Sequence, residues 1–150
     1  METRRHLALR GLLWFICLYH VACGLAAILS PDQIPTIAEK LAGMKVTASP
    51  EFLYLAKPFG VYAAAFGVMM GVAAWNPIKN RALISVGIVL FALRIVQRLT
   101  SMGEVEQLFG VSPARSLQTV AIVAVLGLAL AWLRYRLYRE MRADATDHSA

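Results

Sequence analysis

Acidic residues are missing from every long apolar stretch of this 150-residue chain, which carries only 9 of them against 15 lysines and arginines. A carboxylate inside a membrane helix is the proton-handling group of small ion-coupled antiporters, so that mechanism has no candidate residue here. Cysteine is scarce: Cys17 and Cys23 are the only two, and no C-x-x-C pair occurs. Cys17, His20 and Cys23 share the first apolar stretch, but at spacings of three they fan over about 120° of a helix and cannot all face one metal ion. With no second histidine in the apolar stretches, no metal and no cofactor are expected. Also missing are a Ser/His/Asp set, a phosphate-binding loop, a dinucleotide fingerprint and the polar Glu-Arg/Asn pattern of the membrane-bound glutathione-handling enzymes of similar length. No catalytic residue is assigned, and enzymatic activity is left open with the balance against it. Repeats, low-complexity tracts and flexible linkers are absent as well.

What is present is apolar length. Apolar residues make up 59% of the chain and the mean hydropathy is +0.60, too high for a soluble domain of this size. Four segments reach the roughly 20 residues a spanning helix needs: Leu7–Leu29, Phe52–Trp75, Ala82–Met102 and Leu117–Leu133, the last continuing to Tyr138. They use nearly the whole chain. The expected fold is a single all-α membrane domain, a four-transmembrane-helix bundle. The run Gly11–Leu29 is too long for a signal core and lacks a convincing cleavage site after it, so it reads as a retained helix.

Loop chemistry is legible. Ser30-Pro31, Ser49-Pro50 and Ser112-Pro113 each offer an N-cap followed by proline at the first helical position. Between the first two spans, Pro31–Ala42 places Ile34, Ile37, Leu41 and Met44 at helical spacing before Gly43, which predicts a short amphipathic helix on the outer membrane surface. Glu104–Phe109 is expected to form a single turn before Gly110. Asn76–Asn80 is a tight turn that makes the second and third spans antiparallel.

Cations give an orientation. Arg4, Arg5, Arg10, Lys79, Arg81, Arg134, Arg136, Arg139 and Arg142 lie on the side of the termini, nine in all. Lys40, Lys45, Lys57 and Arg115 lie on the other side, four in all. The positive-inside bias then places both termini in the cytoplasm of a multi-pass protein of the bacterial inner membrane. The flanking arginines are read as contacts to anionic headgroups and not as a nucleic-acid surface, for want of interleaved aromatic platforms.

Two patterns bear on packing and function. Gly60, Ala64, Gly67 and Gly71 form one narrow stripe along the second span, which lets a neighbouring backbone approach closely; Ala124, Gly127 and Ala131 repeat it weakly in the fourth. In the third span Arg94, Gln97, Arg98 and Ser101 share one face. A guanidinium inside a bilayer costs a few kcal/mol or more unless it is paired, hydrated or snorkelling. Arg98 is near the helix end and can snorkel, whereas Arg94 is about 12 Å deep. One reading anchors these arginines to helix-end carbonyls or to Glu51, Glu104 or Glu106. The other makes them a binding site, joined by Lys57 from the small-residue face of the second span, with Tyr54 and Gln118 near the same end. His20 and Tyr62 fall at the depth of Arg94 and would form the floor. Such an excess of donors in a low-dielectric cleft favours an anionic or carbonyl-bearing guest.

A first span ending in SPDQIPTIAEKLAG, a glycine-rich second span FGVYAAAFGVMMGVAAW, the short basic turn NPIKNR and a third span carrying Arg94 together resemble the small bacterial four-helix membrane proteins related to BphX, within the wider DoxX-like group. The resemblance implies an inner-membrane four-helix bundle of poorly defined function, in a group some of whose members are associated with quinone-linked sulfur oxidation or with assembly of redox complexes. It carries over no catalytic residue.

The expected function is therefore binding of a small amphipathic ligand, quinone-like or an anionic lipid, in an outer-leaflet cleft of Arg94, Arg98, Lys57, Gln97, Tyr62 and His20, with the protein serving as an accessory subunit. Expected partners are membrane lipid, such a ligand, and a membrane protein or a second copy; nucleic acid is not among them. Two alternatives stay open: a structural protein that docks a partner through its small-residue faces, and a small transporter or quinone-coupled oxidoreductase.

Overall fold

In the computed structural model, which describes residues 6–147, every regular element is a helix. Six α-helices follow in order: α1 (Leu7–Leu29), α2 (Ile34–Ala42), α3 (Pro50–Trp75), α4 (Arg81–Thr100), α5 (Met102–Phe109) and α6 (Pro113–Asp147), with a 3-10 turn at Pro31–Gln33 before α2. The helices α1, α3, α4 and the first 27 residues of α6, Pro113–Arg139, are long and apolar enough to cross a membrane. At 35 residues, α6 measures about 52 Å and outruns a hydrocarbon core of about 30 Å. Arg4 and Arg5, counted above, lie outside the described residues, as does the side chain of Leu41.

Helix boundaries follow the caps. Ser49 Oγ accepts from Phe52 N at 3.2 Å and Ser112 Oγ from Arg115 N at 3.4 Å. Both long helices therefore begin at the proline after the serine, a few residues upstream of the apolar stretches expected to start at Phe52 and Leu117. Ser30 makes no side-chain cap; its N–H instead bonds the Ala26 carbonyl and closes α1. Glu104–Phe109 is more than the expected single turn, because the eight-residue α5 starts at Met102 and buries Val105 beneath it. Gly43 and Gly110 end α2 and α5 in the left-handed region, at φ +66° and +65°, which costs a glycine nothing. The amphipathic character expected of α2 is present: Ile34, Ile37 and Ala38 are partly covered, while Thr36, Glu39 and Lys40 are exposed.

The four long helices run alternately up and down and associate as two close pairs, α1 with α3 and α4 with α6, with lighter contact between the pairs. In the first pair the small-residue stripe does the packing. A Cβ added to Gly60 would lie 2.7 Å from the Gly24 carbonyl, and one added to Gly67 would lie 2.8 Å from the Cys17 carbonyl. Backbone rests on backbone, so dispersion acts over many atoms at contact distance. Arg10 Nε donates to the Ala74 carbonyl at 3.0 Å and satisfies one of the orphan acceptors at the end of α3.

Where the two pairs meet, the shared core is one-sided. Its buried members, among them Leu13 and Ile16 of α1, Met70 and Ala73 of α3, Ile84 and Phe91 of α4, and Leu130 and Leu137 of α6, reach from the middle of the bundle to the end that holds the Asn76–Asn80 turn. His20, Phe66 and Phe91 close this core with an edge-to-face layer, at centroid distances of 4.8 Å and 6.2 Å. In the other half the buried positions of the four long helices are small, Gly24, Ala56, Gly60 and Ser116. Arg94 and Arg98 stand one and two turns beyond Phe91, in the half that large apolar side chains do not fill.

Candidate binding cleft

The α4–α6 pair carries the cleft. Arg94, Gln97 and Arg98 project from successive turns of α4, and Thr119, Val120 and Val123 of α6 face them. Ala42 and Met44 close one side from the end of α2. The cleft is partly open and its volume is about 130 Å³. Arg94 and Gln97 are exposed toward the surroundings of the bundle and Arg98 is half-buried.

Two contacts hold the α2 side in place. The Arg115 guanidinium rests on the cap of α2, where a Cβ on Gly43 would come within 2.6 Å of its Nη1. The last carbonyls of a helix carry partial negative charge, so a cation there is stabilising. Lys45 N–H donates to the Phe109 carbonyl at 2.9 Å, which ties the segment after α2 to the end of α5. Thr119 Oγ1 donates to the Arg115 carbonyl at 3.0 Å, and so positions the hydroxyl in the cleft wall.

Electrostatically the cleft is unbalanced. Among the described residues no carboxylate forms an ion pair with Arg94 or Arg98. The expected alternative anchors, Glu51, Glu104 and Glu106, are exposed and remain apart. Arg98 Nε is fully covered yet has no hydrogen-bond partner, although a covered charged donor without a partner is costly.

Of the six residues expected to form the site, Arg94, Gln97 and Arg98 come together and three do not. Lys57 and Tyr62 point outward from α3, Tyr62 at 73% exposure. The α1–α3 seam passes through Ala56 and Gly60, and Lys57 lies about 100° round the helix from Ala56, too far to stay in it. His20 is at the expected depth and within electrostatic reach of Arg94, but it belongs to the aromatic layer beneath the cleft. Its Nδ1 donates to the Ile16 carbonyl at 2.9 Å. Tyr54 and Gln118 are also turned outward, and Thr119 takes the place expected of Gln118. Cys17 and Cys23 are free, and among the described residues no three His, Cys, Asp or Glu side chains converge to hold a metal.

The far part of α6 corrects a further expectation. Arg136 lies over the Trp132 ring at 5.2 Å, Arg139 over Tyr135 at 6.0 Å and Arg142 over Tyr138 at 5.0 Å. Arginine and aromatic residues therefore do interleave there, each pair at i and i+4, one above the other on the helix surface.

Comparison with protein-family models, with curated proteins and with solved structures returned no match.

Proposed function

We propose that this multi-pass membrane protein binds a small amphipathic molecule through the α4–α6 cleft, with Arg94 and Arg98 receiving an anionic or carbonyl head. The observation that carries this reading is the covered, unpartnered Nε of Arg98 at a cleft with no ion-pairing carboxylate. Gln97 and Thr119 add neutral donors, so the chemistry favours a carboxylate, a phosphate or a quinone-type carbonyl. At about 130 Å³ the cleft is smaller than the roughly 300–1,000 Å³ that encloses a whole ligand. It suits a head group, with the apolar remainder lying outside along Leu93 and Val96, both exposed on α4. Assignment to the DoxX-like group and a role beside a quinone-linked partner belong to the same proposal.

Docking through the small-residue stripe is less well supported, because α1 already fills it. The weaker stripe of α6 is in use too: a Cβ on Gly127 would come within 3.3 Å of Phe91.

Thermal unfolding of delipidated protein tests the binding reading. A fatty carboxylate or a short-chain quinone should raise the melting temperature with concentration, since a ligand that binds only the folded state stabilises it. An alcohol of equal chain length should not. Equal shifts from all three, or none from any, would contradict the proposal.

The proposal also sets the protein in a bacterial inner membrane with both termini cytoplasmic and the cleft toward the outer leaflet, on the nine-to-four distribution of cations and the positive-inside bias. A reporter enzyme active only outside the cytoplasm should be silent when fused to the C-terminus and strongly active when inserted at Gly43. The reverse pattern would move the cleft to the inner leaflet.

A further inference from the structure

A second cleft lies at the opposite end of the α4–α6 pair. Arg81, the first residue of α4, and Arg134 of α6 line it together with Tyr135, Leu137 and Tyr138, around about 210 Å³. Two exposed guanidinium groups thus line one open cleft, and among the described residues no acidic side chain lines it. Among the described residues neither the Arg81 nor the Arg134 guanidinium has an ion-pair or hydrogen-bond partner. Bringing like charges together costs free energy, and an anion between them removes the cost. Guanidinium forks fit the oxygens of a phosphate in a bidentate manner.

Position decides between sources of phosphate. The cleft sits where the apolar part of α6 ends, since the spanning stretch runs Pro113–Arg139. Trp132, Tyr135 and Tyr138 are all exposed there, as expected of aromatic residues at headgroup level. Arg136, Arg139 and Arg142 continue beyond, stacked on these rings, and make a local basic surface that draws an anionic leaflet. Leu137 is buried at 3% exposure and forms the apolar floor, against which the start of an acyl chain can lie.

We infer that the Arg81–Arg134 cleft is a binding site for the phosphate of an anionic phospholipid. It is separate from the Arg94–Arg98 cleft and does not depend on that cleft's ligand. Arg81 and Arg134 hold the phosphate oxygens, and Tyr135 and Tyr138 flank the headgroup.

Native mass spectrometry of the full chain, released from nanodiscs of phosphatidylcholine with phosphatidylglycerol, tests the inference. The wild type should retain phosphatidylglycerol in preference to phosphatidylcholine. The double variant Arg81→Gln/Arg134→Gln should lose that preference roughly tenfold or more, since each surface cation adds appreciably to anionic-lipid binding. The same loss should appear when both proteins also carry Arg98→Gln, which shows that it does not run through the other cleft. Arg81→Lys/Arg134→Lys, which keeps both charges, should retain part of it and so separates lost binding from lost folding. Excess soluble glycerol phosphate should not displace the lipid. Equal retention of the two lipids by the wild type, or full retention by the glutamine double variant, would overturn the inference. Displacement by glycerol phosphate would overturn the lipid as source. A single-stranded oligonucleotide displacing the lipid at equal charge concentration would overturn the lipid assignment in favour of nucleic acid.

Discussion

Gly67→Leu should lower the melting temperature of the detergent-solubilised protein more than any substitution outside the α1–α3 seam. Even a Cβ at this position lies 2.8 Å from the Cys17 carbonyl and from Val21 Cγ2, and 2.9 Å from Val21 N. Two of those three atoms are backbone and cannot swing away, so the helices must separate. Overpacking a close-packed contact costs roughly 1–3 kcal/mol, and a leucine against backbone sits at the upper end. The effect reaches beyond the seam, because α1 supplies Leu9, Leu13 and Ile16 to the shared core. Gly11→Leu is the control: nothing lies within 4 Å of a Cβ there, and its melting temperature should stay at the wild-type value. Equal melting for Gly67→Leu and Gly11→Leu would mean that α1 and α3 do not pack as described.

The second large effect concerns the paired substitution Arg94→Leu/Arg98→Leu. Were these arginines anchors, their loss would orphan buried partners and cost roughly 3–5 kcal/mol. No such carboxylate is present among the described residues, and Arg98 Nε is itself the orphan. Removing the two cations from the ligand-free protein should therefore leave the melting temperature unchanged or raise it, because two desolvation costs disappear. The stabilisation conferred by a fatty carboxylate or quinone should be abolished in the same variant. A melting temperature lowered as strongly as by Gly67→Leu would return Arg94 and Arg98 to a structural role.

How far such features can be read from residues alone depends on how many coordinates they need. The four spans need only length and hydropathy, and the helices follow them closely. The stripe Gly60–Ala64–Gly67–Gly71 and the face Arg94–Gln97–Arg98 need only the helical period, and both are as expected. Tyr62 and His20 are placed by depth along their helices, and Lys57 by its seven-residue spacing from Ala64 on the small-residue face. Depth is one coordinate, whereas meeting at a site also requires rotation about each helix axis and the path of the α1–α3 seam, which follows from packing across helices. Thr119, Ala42 and Met44 carried no signal of their own: a threonine near a helix start is ordinary, and the position of α2 rests on Arg115, Lys45 and Phe109 meeting across distant loops. The arginine–aromatic ladder of α6 is legible, since each pair stands at i and i+4, whereas a tally of charge does not show it.

One asymmetry in the bundle underlies both clefts. The α1–α3 pair is sealed by glycine and alanine and leaves no room for a guest. The α4–α6 pair holds fewer small residues and more long cations, so space opens at each of its ends, lined by arginines with no acidic partner among the described residues. Packing thus confines the open clefts to one pair of helices.

The central claim, that Arg98 and Arg94 hold a guest, is tested most directly by native mass spectrometry of gently solubilised wild type beside Arg98→Leu. The wild type should carry one more bound amphiphile with an acidic or carbonyl head than Arg98→Leu, which, equally well folded, should keep only the phospholipid of the Arg81–Arg134 cleft. The same bound species at the same occupancy in both proteins, or no bound species in either, would contradict the account.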